Sequence, residues 1–82
     1  MLKIKDNVDL KELEKYGFEN CDEYYMEKEL EDGNTLEIGL EKDLFYKNKE
    51  LSIRIGAYNT TVTDLSVIYD LIKADLVEKV EQ

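Results

Sequence analysis

The stretch TVTDLSVIYDLIKADLVEKV, residues 61–80, is the most apolar part of the chain and predicts its main helix. Its apolar residues recur at spacings of three and four, which places on one helical stripe Leu65, Ile68, Tyr69, Leu71 and Ile72. Thr63 is the predicted N-cap, because its hydroxyl can accept a hydrogen bond from a free N–H of the first turn. Such a stripe needs an apolar cover, so we expect the upstream strands to pack on it.

The end of this stretch has two interpretations. Leu76 and Val80 continue the helical spacing, so the helix can extend through them. Alternatively, Asp75 takes a left-handed conformation and stops the helix, and Leu76–Val80 then forms a short strand. We favour the stop.

A shorter helix is predicted over Leu10–Tyr16, where both ends carry their own signals. Asp9 is the N-cap at the start of the helix. Gly17 supplies the left-handed residue that follows a helix, and Phe18 then packs back on Leu13. Because this helix has only about two turns, tertiary packing must stabilise it.

A hairpin is predicted around Asp32-Gly33-Asn34, since Gly and Asn accept positive φ at little cost. Apolar and polar residues alternate on both sides of this turn, as they do in half-buried strands. Residues 22–31 alone are also good helix formers, so a helix there is the alternative.

Two further segments alternate in the same way, Met1–Lys5 and residues 51–56. Residues 44–46 are expected to continue the second hairpin strand, and residues 47–49 to form the turn before the next one. Residues 58–61 are expected to lead into the main helix.

Together these elements predict an α+β fold, a small antiparallel sheet of three to four strands with two helices packed on one face. The 82 residues make a single acidic domain, 1–82, with one modest core. The predicted core consists of Leu13, Phe18, Leu36, Ile38, Leu40, Leu51, Ile53, Ile55, Leu65, Ile68 and Ile72.

Composition restricts the location and the ligands of the protein. A single cysteine, Cys21, rules out an internal disulfide and suits a reducing compartment. The first residues lack the apolar run of a signal peptide, and no segment is as long and apolar as a membrane span. We therefore expect a cytoplasmic location. The net charge of −9 argues against nucleic acid or an anionic membrane as a direct ligand.

The chain carries no catalytic motif. It has no histidine, which removes the commonest general base and a main zinc ligand. Cys21 lies among acidic residues that raise a thiol pKa, and the four glycines are scattered rather than grouped in a phosphate-binding loop. We expect a non-enzymatic protein with no catalytic residue, cofactor or metal.

The negative charge is concentrated in the middle of the chain. Residues 19–43 hold ten acids and two bases, and so carry −8 of the net −9. In the predicted hairpin the glutamates share the outer face, where like charges across a strand pair are mildly destabilising. That arrangement suggests a binding surface, with Tyr25 as an aromatic anchor. The predicted partner-binding residues are Glu23, Tyr25, Glu27, Glu29, Glu31, Asp32, Glu37 and Glu41.

Two stretches carry a resemblance to known sequences: VDLKELEKYGF at residues 8–18 and YDLIKADLVEKV at residues 69–80. They resemble the opening and close of small uncharacterised proteins encoded by phages and prophages of low-GC Gram-positive bacteria. The resemblance implies a phage accessory protein acting in the bacterial cytoplasm.

Resemblance and charge together suggest a basic protein surface as the partner. A regular array of carboxylates can occupy a groove built for phosphates. The main hypothesis is thus a DNA-mimic counter-defence inhibitor, anti-CRISPR or anti-restriction, that binds a nuclease of a bacterial defence system. The alternative is a self-associating structural protein, a homodimer formed near Phe45, Tyr46 and Tyr58, whose acidic face is merely solvated.

Overall fold

The computed structural model describes residues 1–20, 22–44 and 46–80. Within these residues the chain forms six strands, two 3-10 helices and one short α-helix. The strands are β1 (Leu2–Ile4), β2 (Tyr25–Glu29), β3 (Thr35–Gly39), β4 (Leu51–Ile55), β5 (Tyr58–Thr61) and β6 (Val77–Lys79). The 3-10 helices are Leu10–Tyr16 and Leu65–Ile68, and the second runs directly into α1 (Tyr69–Lys73).

The strands form two antiparallel sheets, which confirms the α+β class. Strands β2, β3, β4 and β5 follow one another in a sheet that we call the meander sheet. Strands β1 and β6 pair in a separate sheet, the terminal sheet, so the first and last described strands lie side by side. The packing of both helices on one face of a sheet stays a prediction.

Local chemistry explains the first hairpin of the meander sheet. The Asp32 carboxylate accepts a hydrogen bond from the Asn34 N–H at 2.9 Å, and Gly33 takes a φ of 87°. These contacts fix the turn between β2 and β3, so the strand interpretation of residues 25–29 is confirmed over the helical one.

The prediction that residues 44–46 extend the second hairpin strand is wrong. Strand β3 ends at Gly39, and the described residues between β3 and β4 lie in turns and bends. A Cβ on Gly39 would lie 2.9 Å from the Lys47 carbonyl oxygen. Glycine at this position therefore lets the following loop pack directly on the end of the sheet. Phe45 lies outside the described residues.

Residues 58–61, which were expected to be a connection to the main helix, form strand β5 instead. Gly56, with a φ of 61°, turns the chain back, and Tyr58 pairs with Ile55. All residues of β5 are exposed, so it lacks the alternation of apolar and polar residues from which a strand is recognised.

The first helix has the predicted bounds. The Asp9 carboxylate accepts a hydrogen bond from the Lys11 N–H, which confirms Asp9 as the N-cap. Gly17 is left-handed with a φ of 95°, and the Phe18 N–H donates to the Leu13 carbonyl at 3.3 Å. Phe18 and Leu13 are both buried, so the end of the helix is fixed by the core.

The main helix starts one residue later than predicted. Asp64, not Thr63, is the N-cap, because its carboxylate accepts hydrogen bonds from the backbone N–H and the hydroxyl of Ser66. These bonds hold the pKa of Asp64 below its usual value. The helix stops at Asp75, which has a φ of 60°, and β6 follows, so the predicted stop is confirmed.

The core differs in part from the predicted one. The buried apolar residues are Ile4, Val8, Leu13, Phe18, Met26, Leu36, Ile38, Leu51, Ile68 and Leu71. Of the predicted core residues, two are partly buried, Leu40 and Ile53, and three are exposed, Ile55, Leu65 and Ile72. The main helical stretch begins as a 3-10 helix with about three residues per turn, so its apolar stripe is not the straight one of an α-helix.

Lys49 connects the meander sheet to the start of the chain. Its ammonium group donates to the backbone carbonyls of Asp6 at 2.9 Å and Val8 at 2.8 Å. The Lys49 carbonyl accepts from the Ile4 N–H at 2.8 Å. The Lys49 side chain thus supplies hydrogen bonds to backbone carbonyls of a loop, which have no partner in a sheet or helix.

Candidate functional site

The polar face of the meander sheet is built by cross-strand pairs. Directly paired residues of antiparallel strands point to the same face, so the register defines both faces. One face buries Met26, Leu36, Ile38 and Leu51. The opposite face, here called the polar face, carries Tyr25, Glu27, Glu29, Thr35, Glu37, Ser52, Arg54, Asn59 and Thr61.

Arg54 lies at the centre of the polar face. Its guanidinium is 3.2 Å from a carboxylate oxygen of Glu27 and 3.2 Å from one of Glu37. It also lies over the Tyr25 ring, 5.7 Å from the ring centroid. The proximity of the Tyr25 side chain and the charges of Glu37 and Glu27 raise the pKa of Arg54, which is thus firmly cationic.

Glu37 shares the face of Glu27 and Glu29, as predicted, but it is buried there and not available to a partner. Glu37 lies on the central strand β3, is 6% exposed, and accepts a hydrogen bond from the Asn59 amide at 2.8 Å. Its other oxygen, Oε2, is 3.2 Å from Arg54 Nε but forms no hydrogen bond within the described part of the chain. The two atoms are close enough for charge attraction, although the N–H does not point at the oxygen.

The other predicted partner-binding residues divide into three groups. Glu27 and Tyr25 are half-buried against Arg54. Glu23 precedes β2 and pairs with Lys42 at 3.1 Å. At the turn end of the hairpin the exposed residues are Glu29, Glu31 and Asp32.

The expected position of Glu41 on the second hairpin strand is wrong. Glu41 is exposed in the turn that follows β3, because that strand has already ended at Gly39. The predicted continuous row of glutamates is therefore interrupted. Acidic residues remain exposed at the two ends of the hairpin, and Arg54 compensates those between them.

Glu19 lies opposite Glu27 and borders the same surface depression as Glu29 and Gly33. Its backbone exchanges two hydrogen bonds with Glu27, at 2.8 and 2.9 Å, so the segment before β2 lies beside that strand. We call Glu19, Glu29, Glu31 and Asp32 the acidic tip. No Lys or Arg of the described chain forms an ion pair with any of them.

A cleft of about 750 Å³ opens beside Arg54. We call it the tyrosine cleft, and its lining includes Tyr24, Tyr25, Tyr46, Tyr58, Glu37 and Asp43. Tyr58 is 76% exposed and Tyr24 is 44% exposed, so both side chains are accessible from solvent. Burial and the charges of Asp43, Glu37 and Glu50 raise the pKa of the Tyr46 hydroxyl.

Sequence reasoning missed Arg54, Asn59 and this cleft. Arg54 follows Ser52 at the spacing of one strand face, so a basic residue facing the glutamates could have been found from strand alternation. The position of Asn59 depends on strand β5, and the only sequence signal for that strand is Gly56 in the turn before it. The predicted dimer residues Tyr46 and Tyr58 both line the cleft.

Comparison of the chain with family models, with curated proteins and with solved structures finds no match. The described residues contain no group of three or more carboxylate or thiol ligands arranged to hold a metal ion. Among the described helices, none has the length and apolar character needed to cross a membrane.

Proposed function

We propose that the chain is a non-enzymatic binding module that contacts a basic protein surface through its acidic tip. The observation that supports this proposal is the contrast between two groups of carboxylates. Glu27 and Glu37 share Arg54, which compensates one of their two charges within the fold. Glu29 and Glu31, in contrast, are exposed and lie outside the ion pairs of the described chain. Uncompensated charge of one sign attracts an oppositely charged partner and guides its approach.

A basic surface that binds DNA is the narrower form of this proposal. The net charge of −9 and the resemblance to phage proteins support a counter-defence role, in which the tip occupies the phosphate groove of a nuclease. Because Arg54 interrupts the row of carboxylates, only the acidic tip resembles DNA in its charge. We therefore expect a local contact with a few basic residues rather than a long charge-by-charge match.

Charge reversal of the tip tests the proposal. The triple variant Glu19→Lys, Glu29→Lys and Glu31→Lys changes exposed residues, so it should stay folded by circular dichroism. Immobilised wild-type chain should retain a basic protein from a bacterial lysate and release it as salt rises from about 50 to about 200 mM. The variant should retain at least about tenfold less of that protein, because each lost attraction becomes a repulsion.

A matched control separates position from total charge. The control variant reverses three exposed acidic residues outside the tip: Glu12→Lys, Glu14→Lys and Asp70→Lys. Its net charge is −3, the same as that of the tip variant, compared with −9 for the wild type. The control variant should retain the partner as the wild type does. Equal losses in the two variants, or retention insensitive to salt, would contradict the proposal.

Self-association is a second candidate, and β5 favours it. This edge strand has exposed, uncharged residues and no proline, so its backbone is open to pairing with another strand. If this candidate is correct, light scattering at micromolar concentration should give twice the mass of one chain, and Thr60→Lys should return it to one. A monomeric wild type would exclude the candidate and leave the binding module.

A further inference from the structure

The tyrosine cleft combines aromatic walls with carboxylates. Tyr24, Tyr25, Tyr46 and Tyr58 present rings to a common space, and such rings attract a cation through their faces. The cleft already contains this kind of contact, since Arg54 lies 5.7 Å from the centroid of the Tyr25 ring. The exposed Tyr58 and Tyr24 can make the same contact with a group that comes from outside.

The charges around the cleft favour a cation over an anion. Arg54 also lines the cleft, but Glu27 and Glu37 each approach its guanidinium to 3.2 Å. Asp43 adds a further carboxylate to the lining. The charged residues of the lining, Glu37, Asp43 and Arg54, have a formal charge of −1 together, and Glu27 beside Arg54 adds one more negative charge.

Two further observations indicate negative potential in the cleft. Glu37 Oε2 is buried, accepts no hydrogen bond within the described chain, and has as its charge partner Arg54, which Glu27 shares. Burial raises the pKa of Tyr46, and the carboxylates of Asp43, Glu37 and Glu50 raise it further through a negative electrostatic field. The same field stabilises a positive charge.

We propose that the tyrosine cleft accepts one arginine side chain from a protein partner. A guanidinium fits better than an ammonium, because it is planar, stacks on aromatic rings and is weakly hydrated. The protein origin of the arginine rests on the proposed function, in which the acidic tip meets a basic surface. The tip then supplies long-range attraction, and the cleft supplies a specific anchor.

A peptide pair tests the cleft without knowledge of the partner. The probes are acetyl-Gly-Arg-Gly-amide and the same peptide with citrulline, which keeps the shape of arginine but lacks its charge. In NMR spectra of protein with ¹³C-labelled tyrosine, the arginine peptide should shift the ring signals of Tyr24, Tyr46 and Tyr58. The citrulline peptide should bind at least about fivefold more weakly, because it loses the cation–ring attraction.

Two tyrosine variants control the assignment. Tyr58→Ala should weaken binding of the arginine peptide about three- to fivefold. Tyr69→Ala should leave it unchanged, because Tyr69 is 58% exposed on α1 and is not part of the cleft lining. Equal binding of both peptides, equal effects of both variants, or stronger binding of the matching lysine peptide would overturn the proposal.

Failure of this proposal can be told apart from failure of the proposed function. The tip variant of Glu19, Glu29 and Glu31 should lose the lysate partner but should still bind the arginine peptide in the cleft. If Tyr58→Ala retains the partner as the wild type does, the cleft proposal fails while the acidic tip stands. If the peptide binds as expected and the tip variant keeps the partner, the tip proposal fails instead.

Discussion

Leu36→Ala should lower the free energy of unfolding by about 2–5 kcal/mol, the largest effect that we expect from a single truncation. Leu36 is completely buried on β3, the strand that lies between β2 and β4 in the meander sheet. Its removal leaves a cavity that neighbouring strands, fixed by their hydrogen bonds, can fill only in part. A chain of this size has a total stability of about 4–12 kcal/mol, so a large fraction of it would be lost.

The same substitution at Leu44 is the matched control. Leu44 is 87% exposed, so Leu44→Ala should change the free energy of unfolding by less than about 0.5 kcal/mol. Urea denaturation of both variants measures the difference as a shift in the midpoint. Similar midpoints for the two variants would show that Leu36 is not in a packed core.

Arg54→Ala should have the second largest effect, about 2–3 kcal/mol of unfolding free energy. Removal of Arg54 leaves Glu37 buried without its cation, which costs about 3–5 kcal/mol in a fully buried pair. The side chain of Arg54 is 36% exposed, so water compensates part of that loss and the expected value is lower.

A second substitution should restore part of this stability. In the double variant Arg54→Ala and Glu37→Gln, the charge is absent, and the Gln carbonyl can still accept the hydrogen bond from Asn59. Urea denaturation should show the double variant to be about 1 kcal/mol more stable than Arg54→Ala alone. Lys42→Ala, which removes an exposed pair with Glu23, should change stability by less than about 0.5 kcal/mol. Equal effects of Arg54→Ala and Lys42→Ala would contradict the central role of Arg54.

The features predicted correctly from the sequence are those that local chemistry determines. The bounds of the first helix follow from Asp9 and Gly17, and the hairpin turn follows from Asp32 and Gly33. Asp75 ends the main helix in the left-handed conformation that the sequence favoured. In each case the deciding hydrogen bond or φ angle lies within a few residues, so a single sequence contains the information.

The features that were missed depend on residues far apart in the chain. Glu37 can be buried because Arg54 and Asn59, on the strands that follow β3, supply its ion pair and its hydrogen bond. Strand alternation alone does not show these partners, and it predicts that a glutamate faces solvent. Strand β5 has no buried residue and so shows no alternation. The tyrosine cleft brings together residues of the hairpin, the loop after Gly39 and the turn before β5, which no local pattern predicts.

The terminal sheet determines where an attached group would sit on this protein. The Val80 N–H donates to the Met1 carbonyl at 2.8 Å, beside the pairing of β1 with β6. A tether joined to Met1 and one joined to Val80 therefore start from almost the same point on the surface. Either tether would hold the molecule to a bead or a fused domain from the same side, whichever of the two residues carried it.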